Sequence, residues 1–287
     1  GDQEGALPGN EFVACVTVET DMPDVTWPAN MKVSNLTLVS NTAELRNISF
    51  AAKRNIPTIS APVCFVHRTT FLNVDLIFNN IAFTLPSDSN GLLFSGGTMN
   101  AVNVLFQGNY QATSATNITI SAKSMTWDRV NMTNIVGTGG TPSVNISGFT
   151  NLNWTNSDID SLANGITIEA DTTDSTESTA TFTALQIQGT TLSAKAQTMT
   201  WDNVNMNRMV GTERMPAVTM SGFTNLEWSN SNITTVNNSI LIEADTTAST
   251  MTTFTGLTFH GSTLSAKAQT MMWDRVNMTN MGGTVGT

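Results

Sequence analysis

Short runs in which apolar and polar residues alternate recur along the chain, at Asn117 to Ser121, Val144 to Ser147, Ile166 to Ala170, Leu192 to Ala194, Val218 to Ser221, Ile240 to Ala244 and Leu264 to Ala266. A period of two puts alternate side chains on opposite faces of a strand, so each run predicts a short strand with one apolar face. A second alternating stretch follows each run. Met125 and Trp127 share one face, the phase slips at Asp128 and Arg129, and Val130 and Met132 share the next. That slip predicts a corner between two strands. The runs return about every 23 to 27 residues. Such a unit suits one turn of a parallel β-solenoid, whose short strands enclose an apolar interior and stack on the preceding turn.

A longer repeat overlies the short one. SAKSMTWDRVNMTNIVGT from Ser121 returns as SAKAQTMTWDNVNMNRMVGT from Ser193 and as SAKAQTMMWDRVNMTNMGGT from Ser265. GFTNLNW, ending at Trp154, returns as GFTNLEW, ending at Trp228, and ITIEADTT at Ile166 returns as ILIEADTT at Ile240. The modules are 121–192, 193–264 and a partial 265–287, each of two full modules holding three short units. Upstream the pattern continues more loosely through Val13 to Val18, Leu36 to Ser40, Val63 to Val66 and Leu92 to Ser95. The expected fold is therefore all-β, a parallel β-solenoid (right-handed β-helix, by base rate) of roughly 11 turns, which at about 4.8 Å per turn makes a rod on the order of 50 Å long. Residues 13–287 form a single domain in this reading, and 1–12 an N-terminal tail or a donor segment for a neighbour's edge. A β-sandwich or propeller is the rival, but recurrent two-residue hairpin turns are missing from the spacing.

Composition narrows the function classes. Lys and Arg number 12 against 22 Asp and Glu, for a net charge of −10, so a basic face for nucleic acid is not expected. No apolar run approaches the roughly 20 residues of a membrane span. Gly1 to Pro8 lacks the charged and apolar regions of a signal peptide, so a secreted chain is expected to have lost its leader already. Two cysteines, Cys15 and Cys64, allow at most one disulfide, and the expected register holds them two turns apart, beyond the usual reach of about 7 Å.

Catalysis finds little in the pattern, and neither a cofactor nor a metal site is expected. His67 and His260 lie far apart in sequence, so no Ser, His and Asp grouping can be inferred. A polysaccharide-cleaving β-helix needs clustered carboxylates, yet Asp128, Asp202 and Asp274 fall three turns apart, about 14 Å, and read as corner residues. Glu169 with Asp171, and Glu243 with Asp245, lack a calcium-loop pattern. Trp127, Trp154, Trp201, Trp228 and Trp273 alternate with Met and Leu, as core residues do, although an exposed row would stack on sugars. Candidate N-glycosylation sequons stand at Asn35, Asn47, Asn117, Asn131, Asn145, Asn153, Asn232, Asn237 and Asn277, a number matching chance for a chain this rich in Asn, Ser and Thr. The same amides could instead stack as ladders on successive turns. An ice-binding face would need Thr-X-Thr on one strand of every turn, which Asn117 to Ser121, Val144 to Ser147 and Ile166 to Ala170 do not share.

The stretch FSGGTMNAVNVLFQGN, Phe94 to Asn109, resembles the GGA-and-FxxN repeats of the polymorphic outer-membrane proteins, autotransporter-like adhesins with β-helix passengers. Thr98 stands where Ala is expected, and later modules replace FxxN with WDxVNM or LxWxN. The resemblance implies an extracellular repetitive β-helix for adhesion or scaffolding. No polar cap follows the third module copy, and a solenoid end without one is expected either in a fragment of a longer repeat array or in a subunit whose end pairs with the next molecule. The resulting expectation is a non-enzymatic extracellular or cell-surface protein that stacks end to end as a homopolymer. The alternatives behind it are an adhesin passenger fragment binding a host or carbohydrate ligand along its side, then a polysaccharide-active enzyme or an ice-binding protein.

Overall fold

The computed structural model describes residues 15–17, 22–27, 32–34, 37–39, 46–52, 62–66, 69–72, 74–84, 92–108, 117–137, 140–171, 177–211, 215–237, 239–261 and 263–281. Side chains are described from Leu76 onward, with gaps. The described residues form strands and turns and no helix, and every strand pairing among them is parallel. A parallel neighbour cannot be reached through a tight hairpin, which disposes of the meander-built rivals and leaves the solenoid.

Three walls make up each turn. Wall A carries the runs that first mark the sequence, with Ile118 registered on Val144, Val144 on Ile166, Ile166 on Leu192, Leu192 on Val218, Val218 on Ile240 and Ile240 on Leu264. Wall B stacks Trp127 on Trp154, then Phe182, Trp201, Trp228, Phe254 and Trp273. Wall C stacks Met132 on Ile159, and Ile187 on Met206 and then Ile233. The strand Ile118–Thr133 passes along all three walls. Between residues 118 and 260, six consecutive turns have described side chains on themselves and on both neighbours, and these define the solenoid. Upstream strands continue the parallel pairing, from Cys15–Thr17 on Thr37–Val39 to Thr69–Leu72 on Leu92–Gln107.

That upstream ladder corrects the expected register. Thr69–Leu72, and not Val63 to Val66, precedes Leu92 on wall A. Pro62–Val66 instead pairs with Lys32–Ser34 and with the end of the strand Val74–Thr84, on wall C. Cys15 and Cys64 thus lie on different walls of successive turns and not on one wall two turns apart. Unequal numbers of residues separate the strands here, so counting residues between apolar runs picks the wrong strand of the turn. The proposed tail, 1–12, lies outside the described residues.

Alternation explains the core. Ile118, Ile120, Met125, Trp127, Val130 and Met132 point inward and are buried, as are their equivalents Leu192, Ala194, Met199, Trp201, Val204 and Met206. Burial of this apolar surface, at roughly 25 cal/mol per Å², opposes the entropy of ordering so many short strands.

The corner expected at Asp128 and Arg129 is present, and its geometry recurs. Asn103, Arg129, Asn156, Ala184, Asn203, Asn230, Gly256 and Arg275 occupy successive corners between walls B and C, each with φ between 50° and 63°. One left-handed residue turns the chain and restores the inward phase on the next wall. GFTN marks the corner between walls A and B in two of the turns. Gly148 and Gly222, with φ of 69° and 65°, sit where the register shifts between Ser147 and Phe149 and between Ser221 and Phe223.

Candidate binding surfaces

The recurring acidic residues act inside the fold. Asp128 Oδ1 accepts hydrogen bonds from Asn156 Nδ2 at 2.8 Å and Thr155 Oγ1 at 3.3 Å, both one turn further on. Asp202 repeats the arrangement with Ser229 Oγ at 2.7 Å and Asn230 Nδ2 at 2.8 Å. These two bonds, Ser229 first, hold the Asp202 carboxyl below its ordinary value. Asp128, Asp202 and Asp274 stand three turns apart in one column, with Thr155 and Thr183, then Ser229 and Thr255, between them. No carboxylate pair for acid–base work arises there.

Beside each such corner lies a buried bond that the sequence reading missed. The Val130 N–H donates to Ser157 Oγ at 2.8 Å, and that hydroxyl donates to the Thr155 carbonyl at 2.7 Å. Val204, Ser231 and Ser229 repeat the pattern at 2.9 Å and 2.6 Å. The motif W-[ST]-N-S is therefore a fitted cover for the turn W-D-x-V beneath it. Its signal is a polar residue on the inward phase at the same place in two equivalent turns.

Trp127, Trp154, Trp201 and Trp228 are fully buried, so none offers a ring to a sugar. They continue a column of ring contacts, with Trp127 and Trp154 centroids 4.9 Å apart and Phe182 and Trp201 stacked at 3.9 Å. Trp273, in the last described turn, is 42% exposed. Glu169 pairs with Lys195 at 3.2 Å, and Asp245 Oδ1 accepts from Thr247 N and Oγ1 within its own loop, which lowers its pKa. Among the described residues no group of three His, Cys, Asp or Glu is placed to hold a metal, and no helix is long and apolar enough to cross a membrane. His260 Nδ1 lies 2.9 Å from Thr279 Oγ1 on the solvent side of wall C, while His67 lies outside the described residues.

The sequon asparagines scatter over the walls. Asn232 and Asn277 are exposed, whereas Asn117, Asn131, Asn145 and Asn153 are half-buried. Asn131 Oδ1 accepts the Asp158 N–H at 2.9 Å, and Asn117 Nδ2 donates to Thr119 Oγ1 at 3.4 Å. The side chains of Asn35, Asn47 and Asn237 are outside the described set.

Outward residues of wall B form parallel rows. Ser124, Asn151, Thr179 and Thr198 stand in register in one row, and Thr126, Asn153, Thr181 and Thr200 in the next. Thr-X-Thr, absent from the wall A strands, occurs here in TATFT at 179–183 and TMT at 198–200. It does not recur on every turn of wall B, where Ser124 and Thr126, Asn151 and Asn153, and Asn225 and Glu227 hold the same positions, so the regular Thr-X-Thr of an ice-binding face is missing here too.

Fold and surfaces together define a β-solenoid repeat protein whose sequence motifs serve its own stacking. No protein-family model matches the chain, and comparisons with curated proteins and with solved structures find no match.

Proposed function

We propose that this protein is an extracellular structural subunit, a right-handed β-helix of roughly 11 turns that stacks end to end into a filament. The observation carrying this reading is the face of the last described turn. Among the described residues, Leu264–Lys267, Thr270–Asp274 and Asn277–Thr279 pair with the strands of the preceding turn. Met271, Trp273 and Met278 continue the core columns, yet are 40%, 42% and 46% exposed, where the equivalent Met199, Trp201 and Met206 are buried. Exposed apolar side chains framed by strand edges form a surface of the kind a further β-turn covers. The occupant in this reading is a second copy of the chain, adding its first turn in the parallel sense already used between turns. A non-closing contact of that type propagates into a fibre. The net charge of −10 discourages side-to-side clumping while leaving the ends to associate.

The resemblance of Phe94 to Asn109 to adhesin passengers supports the cell-surface setting, where exposed Asn232 and Asn277 are the sequons best placed for glycans. No catalytic role is proposed. Electron microscopy of untagged protein over a concentration series tests the assembly. Uniform filaments with an axial repeat near one chain length, lost in Trp273→Arg, are expected; short monomeric rods at every concentration would overturn it and leave the adhesin reading, with a ligand along the side.

A further inference from the structure

We propose that the face of the last described turn is a binding site for one kind of partner segment, a β-turn of sequence GFTNLxW[ST]NS, a reading that rests on that end being a docking face and names what it accepts, whichever chain supplies it. The same kind of turn occurs twice more in the molecule, and each time such a segment covers it. The fold thus shows what fits there.

Residues Trp273 to Asn280 read WDRVNMTN, the sequence of Trp127 to Asn134. Their local geometry matches as well. Arg275 and Arg129 have φ of 51° and 54°, and Asn280 and Asn134 have φ of 51° and 55°. In both turns the arginine holds Oδ2 of the aspartate before it, at 3.1 Å for Arg275 and Asp274 and 3.2 Å for Arg129 and Asp128. That leaves Oδ1 for the turn above. In the covered turn, Asp128 Oδ1 accepts from Thr155 Oγ1 and Asn156 Nδ2, and the Val130 N–H donates to Ser157 Oγ. Ser229, Asn230 and Ser231 make the same bonds to Asp202 and Val204. At the last described turn, no described residue donates to Asp274 Oδ1 or accepts from the Val276 N–H.

The match extends to the other corner and to the core. Thr150 donates its N–H and Oγ1 to the Lys123 carbonyl at 2.9 Å and 3.1 Å, and Thr224 does the same to Gln197 at 2.8 Å and 3.1 Å. Gln269 holds the Gln197 place in the second copy of SAKAQT. Leu152, Trp154 and Ile159 sit in register on Met125, Trp127 and Met132, and all are buried. Met271, Trp273 and Met278 hold the latter three places and are exposed. Any apolar surface would cover them. Only a turn with a hydroxyl, an amide and an inward serine in this order also answers the carboxylate and the N–H, and a partner without them leaves both unmatched. By register, the first described wall B strand brings Val25 and Thr26 to the Trp154 and Thr155 places, with Trp27 next. It carries a hydroxyl residue without the amide residue after it, so the full segment is expected to outcompete a second copy's first turn.

A fluorescein-labelled peptide of residues 144–160, titrated with the full chain and followed by anisotropy, provides the test. Saturable binding is expected, roughly tenfold or more weaker when the peptide carries Asn156→Ala and Ser157→Ala. The same loss is expected when the chain carries Asp274→Ala, an exposed position whose replacement keeps the β circular dichroism. Where the chain forms filaments, excess peptide is expected to shorten them. No saturable binding up to about 1 mM peptide overturns the proposal, as does equal binding of the two peptides or by the two chains. Filaments that ignore the peptide overturn it while leaving end-to-end assembly intact; selective binding to a chain that stays monomeric at every concentration supports it and sinks the assembly.

Discussion

Asp202 accepts two bonds across a turn boundary, and the pH consequence has a definite sign. Its folded pKa lies below the ordinary 3.8, so the deprotonated form is the one the native state prefers. That contribution is fully present above the unfolded value and is lost as pH falls through the folded one. Denaturation followed from neutral to acid pH is expected to show stability declining below about the ordinary carboxylate range, with a shallower decline in Ser229→Ala. The neighbouring Ser231→Ala is a different lesion, because it strands the buried Val204 N–H. A loss of about 1–3 kcal/mol is expected by urea titration. Ala184 offers the opposite case, an ordinary side chain held at φ 54° in a position where its equivalent at another turn is Gly256. Ala184→Gly is expected to raise stability by about 0.5–1 kcal/mol in the same titration. The sequence announced the corner itself, through the phase slip at Asp128 and Arg129. It concealed Ser157 and Ser231, because an inward serine interrupting an apolar phase looks like a strand end until the turn below supplies its N–H.

Strands in this molecule are too short to be stable alone and gain their order from the strand above and below. The aromatic column on wall B joins them. Trp201→Ala removes a buried ring stacked at 3.9 Å on Phe182, and a loss of about 3–5 kcal/mol is expected by urea denaturation. Element identity was legible wherever alternation was strict, which is why the wall A strands fell where the pattern put them. Wall B is half legible: its inward Trp alternate with Met and Leu as core residues do, but no motif marks its outward rows, because Ser, Asn and Thr replace one another there from turn to turn. The upstream register was not legible at all. Unequal numbers of residues separate the strands there, and nothing in Pro62–Val66 says that it belongs to wall C and not wall A.

For the molecule as a whole, the turns come in an order. A W-D-x-V turn is covered by a W-[ST]-N-S turn, a third kind follows, and the series begins again. Stability in such an array is close to a sum over turns and their interfaces. Deleting residues 121–194, three full turns by register, which joins Ile120 to Lys195 in the place of Ser121, is therefore expected to leave a cooperative fold, since a turn of the first kind is replaced by another of its kind. Deleting the single turn 144–165 sets unlike faces together, removing the cover from Asp128 and Val130. Loss of cooperative melting by circular dichroism in the second deletion and its retention in the first would bear this out.

The cover that Ser157 and Ser231 provide has a further consequence. A chain that copies or loses part of its own gene can change length without penalty only in whole modules, because any other increment shifts the phase of the stack and leaves an acid and an amide unanswered at the junction. Corner chemistry thus acts as a ruler, and natural length variants of this rod are expected to differ by three turns and its multiples.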